Sequence, residues 1–220
     1  IGGGYIGVEV ADEILKKDGK NVTIIEMQDS LFPVSMDSEF GKKAQEEIEK
    51  AGGEVILGER VIRVNGHERV ESIELSNGDI LNADLLILAV GYKPNTDLAH
   101  TFDLALDEYQ GILVDEYLRS SEREIFAVGD CAAKFDFFTG DFSNVMLAST
   151  AMAEGRLVGS NLFTIKVLRK YIGVLGSFST KIGNTAFGAC GLIEKNAKKM
   201  GLDYTVGNSI SIDRHPSKLS

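Results

Sequence analysis

Apolar residues recur at Ile6, Val10 and Ile14, with Ala11 and Leu15 beside them, and this spacing predicts a helix with one apolar stripe. Asp18-Gly19-Lys20 ends it, with Gly19 suited to the left-handed cap. The run VTII at 22–25 is short, apolar and β-branched, as in a parallel strand buried on both faces. Helical spacing resumes after Asp37, a candidate cap, with Phe40, Ala44 and Ile48 on one face and Gly52-Gly53 as the stop. Residues 55–57, 61–64 and 70–75 then read as strands joined by turns, Asn77-Gly78 being a strong tight-turn signal. The run ADLLILAV at 83–90 reads as another buried strand, closed by Gly91 and Pro94.

Strand and helix alternate in this first stretch and give way to a small meander and a further strand. That order predicts a mononucleotide-binding unit of an α/β sheet. Residues 97–115 read as a connection, 125–128 as a short strand, and 147–163 as a helix with Leu147, Ala151, Leu157, Val158 and Leu162 on its apolar positions. From Ile172 the texture is β-rich, with a helix at 192–200 and β again up to Ile212, so a domain boundary is expected near Lys170.

The composition narrows the class. The chain has 220 residues, 44% of them hydrophobic and 25% charged, which is a globular balance. Its net charge of −10 speaks against nucleic acid or an anionic membrane as partner, because phosphate binding needs local positive charge. No apolar run approaches the ~18–20 residues of a membrane span. Cys131 and Cys190 are too few and too far apart for a disulfide scaffold, and no His/Cys/Asp cluster has metal-ligand spacing. A reducing cytoplasm is the expected setting.

The chemistry begins at residue 2. Gly2, Gly4 and Gly7 fit G-x-G-x-x-G at the start of a helix. One glycine permits a tight turn, the next lets backbone approach a pyrophosphate, and the third lets the helix pack closely on the sheet, while the helix N-terminus offers free amides. Glu26 ends the following strand nineteen positions beyond Gly7, where a carboxylate accepts from ribose hydroxyls and repels a 2′-phosphate. Met27, Gln28 and Asp29 supply no arginine, which favours NADH over NADPH. Glu9 sits in the first helical turn, where the dipole alone favours an acid, and Tyr5 is equally a packing aromatic. Gly91 closes a strand either as part of a ligand site or as a plain turn glycine. Asp130, after Gly129 at the end of the 125–128 run, is an acceptor for polyol hydroxyls or the cap of a turn.

In this order the segments GGGYIGVE (2–9), LAVGYKPNT (88–96), GILVDEYLRSS (111–121), EIFAVGDCA (124–132), VMLASTAMAEGRLVGSNL (145–162) and FSTKIGNTAFGACGLIEKNAKKMG (178–201) resemble the pyridine nucleotide-disulfide oxidoreductases. Within them the chain is most similar to the NADH oxidase, NADH peroxidase and coenzyme A-disulfide reductase group. The resemblance implies an α/β fold in three parts. Residues 1–96 are a Rossmann-like NAD(H)-binding domain with an inserted β-meander and its first strand largely missing. Residues 97–170 are the C-terminal part of an FAD-binding Rossmann-like domain, and 171–220 the start of an α+β dimerisation domain. Gly2, Gly4 and Gly7 would hold the NADH pyrophosphate, Glu26 the adenosine ribose, and Gly91 would contribute backbone contact. Tyr5, Ile6 and Glu9 would lie near the nicotinamide, the tyrosine screening the flavin face. Asp130 would bind the ribityl-phosphate region of FAD, and Met146, Leu147, Ala148 and Ser149 would line the flavin.

The implied activity is hydride transfer from NADH to FAD and onward to a cysteine-based centre, with oxygen, peroxide or a small disulfide as acceptor. An NADH:rubredoxin or other electron-carrier reductase and a non-catalytic NAD-binding module are the alternatives. A homodimer through residues 171 onward is implied too. The redox cysteine of this family precedes the glycine motif, so the chain is expected to be a fragment without it and inactive alone. Cys131 and Cys190 lack cationic neighbours in sequence and read as buried structural thiols. His67 and His100 read as solvated, and His215 as a turn or interface residue.

Overall fold

The computed structural model describes residues 1–164 and 170–210. His215 and the expected end of the last β segment at Ile212 lie outside the described residues.

The chain enters directly on the glycine turn and α1 (Tyr5–Leu15), followed by β1 (Thr23–Glu26), α2 (Ser38–Lys50) and β2 (Glu54–Leu57). β1 and β2 pair in parallel, from Thr23 opposite Glu54 to Glu26 opposite Leu57. On the other side of β1, Gly2 N donates to Ile25 O at 2.9 Å. Beyond it, the Ile1 amine donates to Ile87 O at 2.7 Å and Ala89 N donates to Ile1 O at 2.8 Å, a parallel pattern. The order across the sheet is therefore β2, β1, Ile1-Gly2, residues 87–89. Each of these parallel neighbours is reached by a crossover, β1 to β2 through α2, which is the α/β arrangement that the alternation predicts.

Residues 83–90 do not form the expected buried strand. Leu85, Leu88 and Val90 are 73%, 66% and 69% exposed. A strand needs a ladder of partners, and among the described residues the run's backbone bonds are two with Ile1 and one from Ala83 N to Glu71 O. The meander, by contrast, forms as expected. β3 (Val61–Asn65), β4 (Ser72–Leu75) and β5 (Ile80–Asn82) are antiparallel neighbours in that order. Gly78 takes φ +92° in the turn between β4 and β5, and Asn77 Oδ1 accepts from Asp79 N at 2.9 Å. Ile73 and Leu75 of β4 are buried with Ile25 of β1 in a small core of their own.

After α3 (Asp97–His100), residues 125–128 make a single antiparallel bridge, Phe126 to Arg119, instead of a strand. They lead into a 3-10 turn at Gly129–Cys131, then β6 (Lys134–Phe135), β7 (Phe142–Ser143) and α4 (Ala148–Asn161). The β-rich end is an antiparallel hairpin, β8 (Ser177–Ile182) and β9 (Thr185–Cys190), followed by α5 (Glu194–Lys199). Residues 202–210 carry no strand, against the expectation of further β structure there.

The hairpin closes the main core. Ile182 and Phe187 are buried among Val8 and Ala11 of α1, Ile24 of β1, Phe32, and Ala44 and Ile48 of α2. Burying a side chain such as Ile182 contributes roughly 1.5–3 kcal/mol. On α1 the buried face is Val8, Ala11 and Asp12; Ile6 is 56% exposed, so the Ile6-Val10-Ile14 stripe is not the core face. On α2 the buried face is Gly41, Ala44 and Ile48, with Phe40 outside. A Cβ at position 41 would collide with Ser30 Oγ and Leu31 O, so the helix rests on the loop at its glycine and Phe40 turns away. Asp37 stands at the N-cap of α2, yet its carboxylate accepts from Glu194 N at 3.0 Å and Lys195 N at 2.9 Å. It caps α5, where a negative charge meets the positive end of that helix. Among the described residues no helix is long and apolar enough to cross a membrane.

Candidate functional site

The glycine turn joins Ile1-Gly2 of the sheet to α1, and its glycines are there for different reasons. Gly2 has φ +102°, and a Cβ on it would strike the Ala89 carbonyl, whose carbon lies 2.8 Å from the Cβ position. Gly7 has ordinary helical geometry, but its Cβ would strike Gly2 O, so only glycine lets α1 start this close to the sheet. Gly4 has φ −75° and nothing within 4 Å of its Cβ position. Among the described residues no atom would meet a side chain there. Gly4 is the N-cap of α1, without a side-chain cap bond, so the turn presents open space beside free helix amides. That is the cradle a pyrophosphate needs.

Glu26 is 7% exposed at the end of β1. Its Oε2 accepts from Gly3 N at 2.6 Å and its Oε1 from Gln28 N at 2.8 Å. The carboxylate is thus tied to the glycine turn, and each oxygen keeps a further lone pair. Gly91 has φ +107° and open space at its Cβ position, and its segment runs past the turn through the Ala89–Ile1 bond. The structure therefore brings Gly2, Gly4, Gly7, Glu26 and Gly91 together.

Tyr5 stacks between Phe32, at 4.9 Å between centroids, and Phe178 of β8, at 5.2 Å. Its hydroxyl is buried without a hydrogen-bond partner. Burial, reinforced by the Glu9 charge, pushes its pKa up to about 12. Glu9 accepts a hydrogen bond from Thr180 of β8. Tyr5 and Glu9 both face the hairpin here, while Ile6 is open to solvent.

A second group of predicted residues gathers at the 3-10 turn. Asp130 is exposed and accepts no hydrogen bond from the described residues. It caps nothing: the turn has no side-chain cap bond. α4 begins next to it, with Ala151 Cβ 3.4 Å from the Cβ position of Gly129. Met146 and Leu147 lead into α4 half-buried, and Ala148 and Ser149 are exposed in its first turn. Asp130 and Met146 line one narrow cleft together with Pro94, which links the two groups. An unpaired carboxylate beside an uncapped helix start suits a ligand carrying both hydroxyls and phosphate.

The sequence reading missed Lys134 and Glu154. Both are buried, their side chains 3% and 0% exposed, with Nζ 3.2 Å from Oε1. Nothing local marks them, since a lysine after a turn and a glutamate on a helix look solvated. Burial and the Glu154 carboxylate push the Tyr171 hydroxyl above the usual tyrosine range. Of the cysteines, Cys131 is half-buried and donates to Val128 O at 3.3 Å. Cys190 is exposed, not buried as expected: it closes β9 on the outward side, 3.1 Å from Ser177 Oγ. His67 and His100 are exposed, as their surroundings in sequence predict.

Residues 1–155 match the family "Pyridine nucleotide-disulphide oxidoreductase". The chain is 30% identical over 214 residues to an NADH oxidase of Methanocaldococcus jannaschii, covering 97% of this chain and 47% of that one. It is 35% identical over 203 residues to an NAD(P)H coenzyme A polysulfide/persulfide reductase of Pyrococcus horikoshii, covering 92% and 44%. The fold superposes with a TM-score of 0.83 on a water-forming NADH oxidase from Lactobacillus brevis bound to NADH, at 32% identity over 91% of this chain and 44% of that one. The chain spans about half the length of the curated relatives it matches. On the strength of the family match and the glycine turn that carries it, the chain belongs to the pyridine nucleotide-disulphide oxidoreductase family.

Proposed function

We propose that this chain carries the NADH site and part of the FAD site of a flavoprotein oxidoreductase that passes electrons from NADH through FAD to a small-molecule or disulfide acceptor. The observation that carries the reading is Gly4, where the missing side chain leaves open space at a helix start beside the fixed carboxylate of Glu26. Residues 1–96 form the NADH part in this reading, 97–170 the FAD part, and 171–220 the start of the dimerisation part. Gly2 and Gly7 shape the turn, the α1 amides hold the pyrophosphate, and Glu26 accepts from the ribose. Asp130 accepts from hydroxyls of FAD, and the start of α4, with Met146, Leu147, Ala148 and Ser149, lies against it. Bound FAD supplies a ring that takes hydride from NADH and passes electrons on. Neither Cys131 nor Cys190 is proposed as a redox centre: among the described residues their sulfurs meet Val128 O and Ser177 Oγ.

A homodimer through residues 171 onward is supported by apolar side chains left open there, Leu175, Met200 and Leu202 among them. A cytoplasmic setting is supported by the two unpaired cysteines. The acceptor class is supported by relatives named NADH oxidase and coenzyme A polysulfide/persulfide reductase. The test is anaerobic addition of NADH to the purified complete gene product. Bleaching of a flavin absorbance band is expected; a protein without flavin refutes the reading, and one that binds NADH without bleaching is an NAD-binding module.

A further inference from the structure

We propose that Lys134 and Glu154 are positioning residues for Asp130, holding the backbone of the 3-10 turn so that its carboxylate meets FAD. This inference rests on the FAD reading above and adds two residues to it.

Glu154 Oε2 accepts from Gly129 N at 2.7 Å. Lys134 Nζ donates to Gly129 O at 2.5 Å and to Ala132 O at 2.8 Å. The amide and the carbonyl of Gly129 belong to the peptide planes on either side of its Cα, so fixing both planes fixes φ and ψ at Gly129. That residue sits at φ +74°, a left-handed conformation that glycine tolerates but does not enforce. The next Cα is that of Asp130. The direction in which its side chain leaves the backbone is therefore set by the clamp, and among the described residues the carboxylate has no partner to aim it.

The choice of a charged pair points the same way. Removing a lysine and a glutamate from water costs more than their attraction commonly returns, so a buried pair is weak evidence of stabilisation. Here each charge also grips a backbone group that an apolar pair would leave unheld. The pair spans two elements, Lys134 on β6 and Glu154 in the middle of α4, and so also ties the helix whose start faces the proposed flavin to the turn carrying Asp130.

The experiment uses the complete gene product, stripped of flavin and titrated with FAD by fluorescence quenching, with Tm of the flavin-free protein followed in parallel. Lys134→Met alone leaves a buried carboxylate unpaired and is expected to lower Tm by several degrees. The double variant Lys134→Met/Glu154→Gln is neutral and similar in volume, and it keeps an oxygen for Gly129 N. Its Tm is expected to return to within about 3 °C of the parent, while its FAD Kd stays about tenfold higher, a loss of ~1.4 kcal/mol. Recovery of both Tm and FAD affinity would mean that the pair is structural only and overturns the proposal. Should the double variant not fold, Lys134→Met alone decides it, because it removes the bonds to Gly129 O and Ala132 O: at a parent-like circular dichroism spectrum, FAD affinity must fall at least fivefold, and an unchanged Kd overturns the proposal. A parent that binds no FAD at all refutes the flavoprotein reading itself, an outcome distinct from a parent that binds FAD as well as the double variant does.

Discussion

Two single-methyl substitutions separate the packing glycines from the ligand glycine. Gly7→Ala adds a Cβ that would strike Gly2 O and lie 3.1 Å from the Gly2 carbonyl carbon and 3.4 Å from Ala89 Cβ. Alanine in a helix gains about 1 kcal/mol over glycine. Overpacking typically costs ~1–3 kcal/mol, and a backbone carbonyl gives way less readily than a side chain, so the upper half of that range applies. The net expectation is a loss of about 1–2 kcal/mol of folding stability, against the helix-propensity trend. Gly4→Ala meets nothing within 4 Å and keeps an allowed backbone at φ −75°. Its stability should change by less than about 1 kcal/mol, the weaker N-cap of alanine being the main term. Its methyl projects into the open space of the turn, however, so NADH affinity should fall roughly 10–100-fold, or about 1.4–2.7 kcal/mol. Urea midpoints measure the first effect, and NADH fluorescence titration the second. If Gly7→Ala stabilises the protein while Gly4→Ala binds NADH like the parent, the geometric assignment of both glycines is wrong.

Other outcomes follow from single side chains. Glu26→Gln keeps an oxygen for Gly3 N but removes the charge that repels a 2′-phosphate, so the preference for NADH over NADPH should fall about tenfold by competitive titration; an unchanged ratio removes Glu26 from cofactor choice. Asp130→Ala should leave Tm within about 2 °C, since the side chain is exposed and unpartnered, while weakening FAD about tenfold; a large Tm loss with intact FAD binding reverses its role. Tyr5 gives a pH signature. Its pKa is raised from 10 to about 12 by burial and Glu9, so the folded state keeps a proton that the unfolded chain loses. Stability from this group is full below about pH 10 and declines as pH rises toward 12. Tyr5→Phe should flatten that decline in alkaline urea titrations and, by removing a buried hydroxyl without a partner, should not destabilise at pH 7.

The parts legible in the sequence are those whose physical demand is local. A positive φ at Gly2, Gly19 and Gly78, the parallel strand at 23–26, and the meander turn at Asn77-Gly78 each follow from a few adjacent residues. The parts that were not legible depend on partners far along the chain. Residues 83–90 have the composition of a buried strand, but composition cannot supply a ladder, and among the described residues only Ile1 and Glu71 bond their backbone. Asp37 has the residue type and position of a cap for α2, yet it serves α5, 157 residues away. Residue type reveals that a group seeks donors and leaves open which donors are nearest.

The same reasoning explains why the predicted site residues arrive in two groups. Gly2 is joined to β1 through Ile25 O, Gly3 N to the Glu26 carboxylate, and the segment before Gly91 to Ile1 through Ala89 N; the strand-helix order dictates this sheet, so the meeting of these residues could be foreseen. Asp130 meets the start of α4 through Glu154 and Lys134, separated by 20 residues and bearing charges that a pattern reading assigns to the surface. Their burial is affordable because each satisfies a peptide group of the turn as well as its opposite charge. A carboxylate that must stay free for a ligand cannot use its own oxygens to hold its place. The backbone beneath it has to be held by other residues, and in this chain those residues are the ones whose position the sequence pattern conceals.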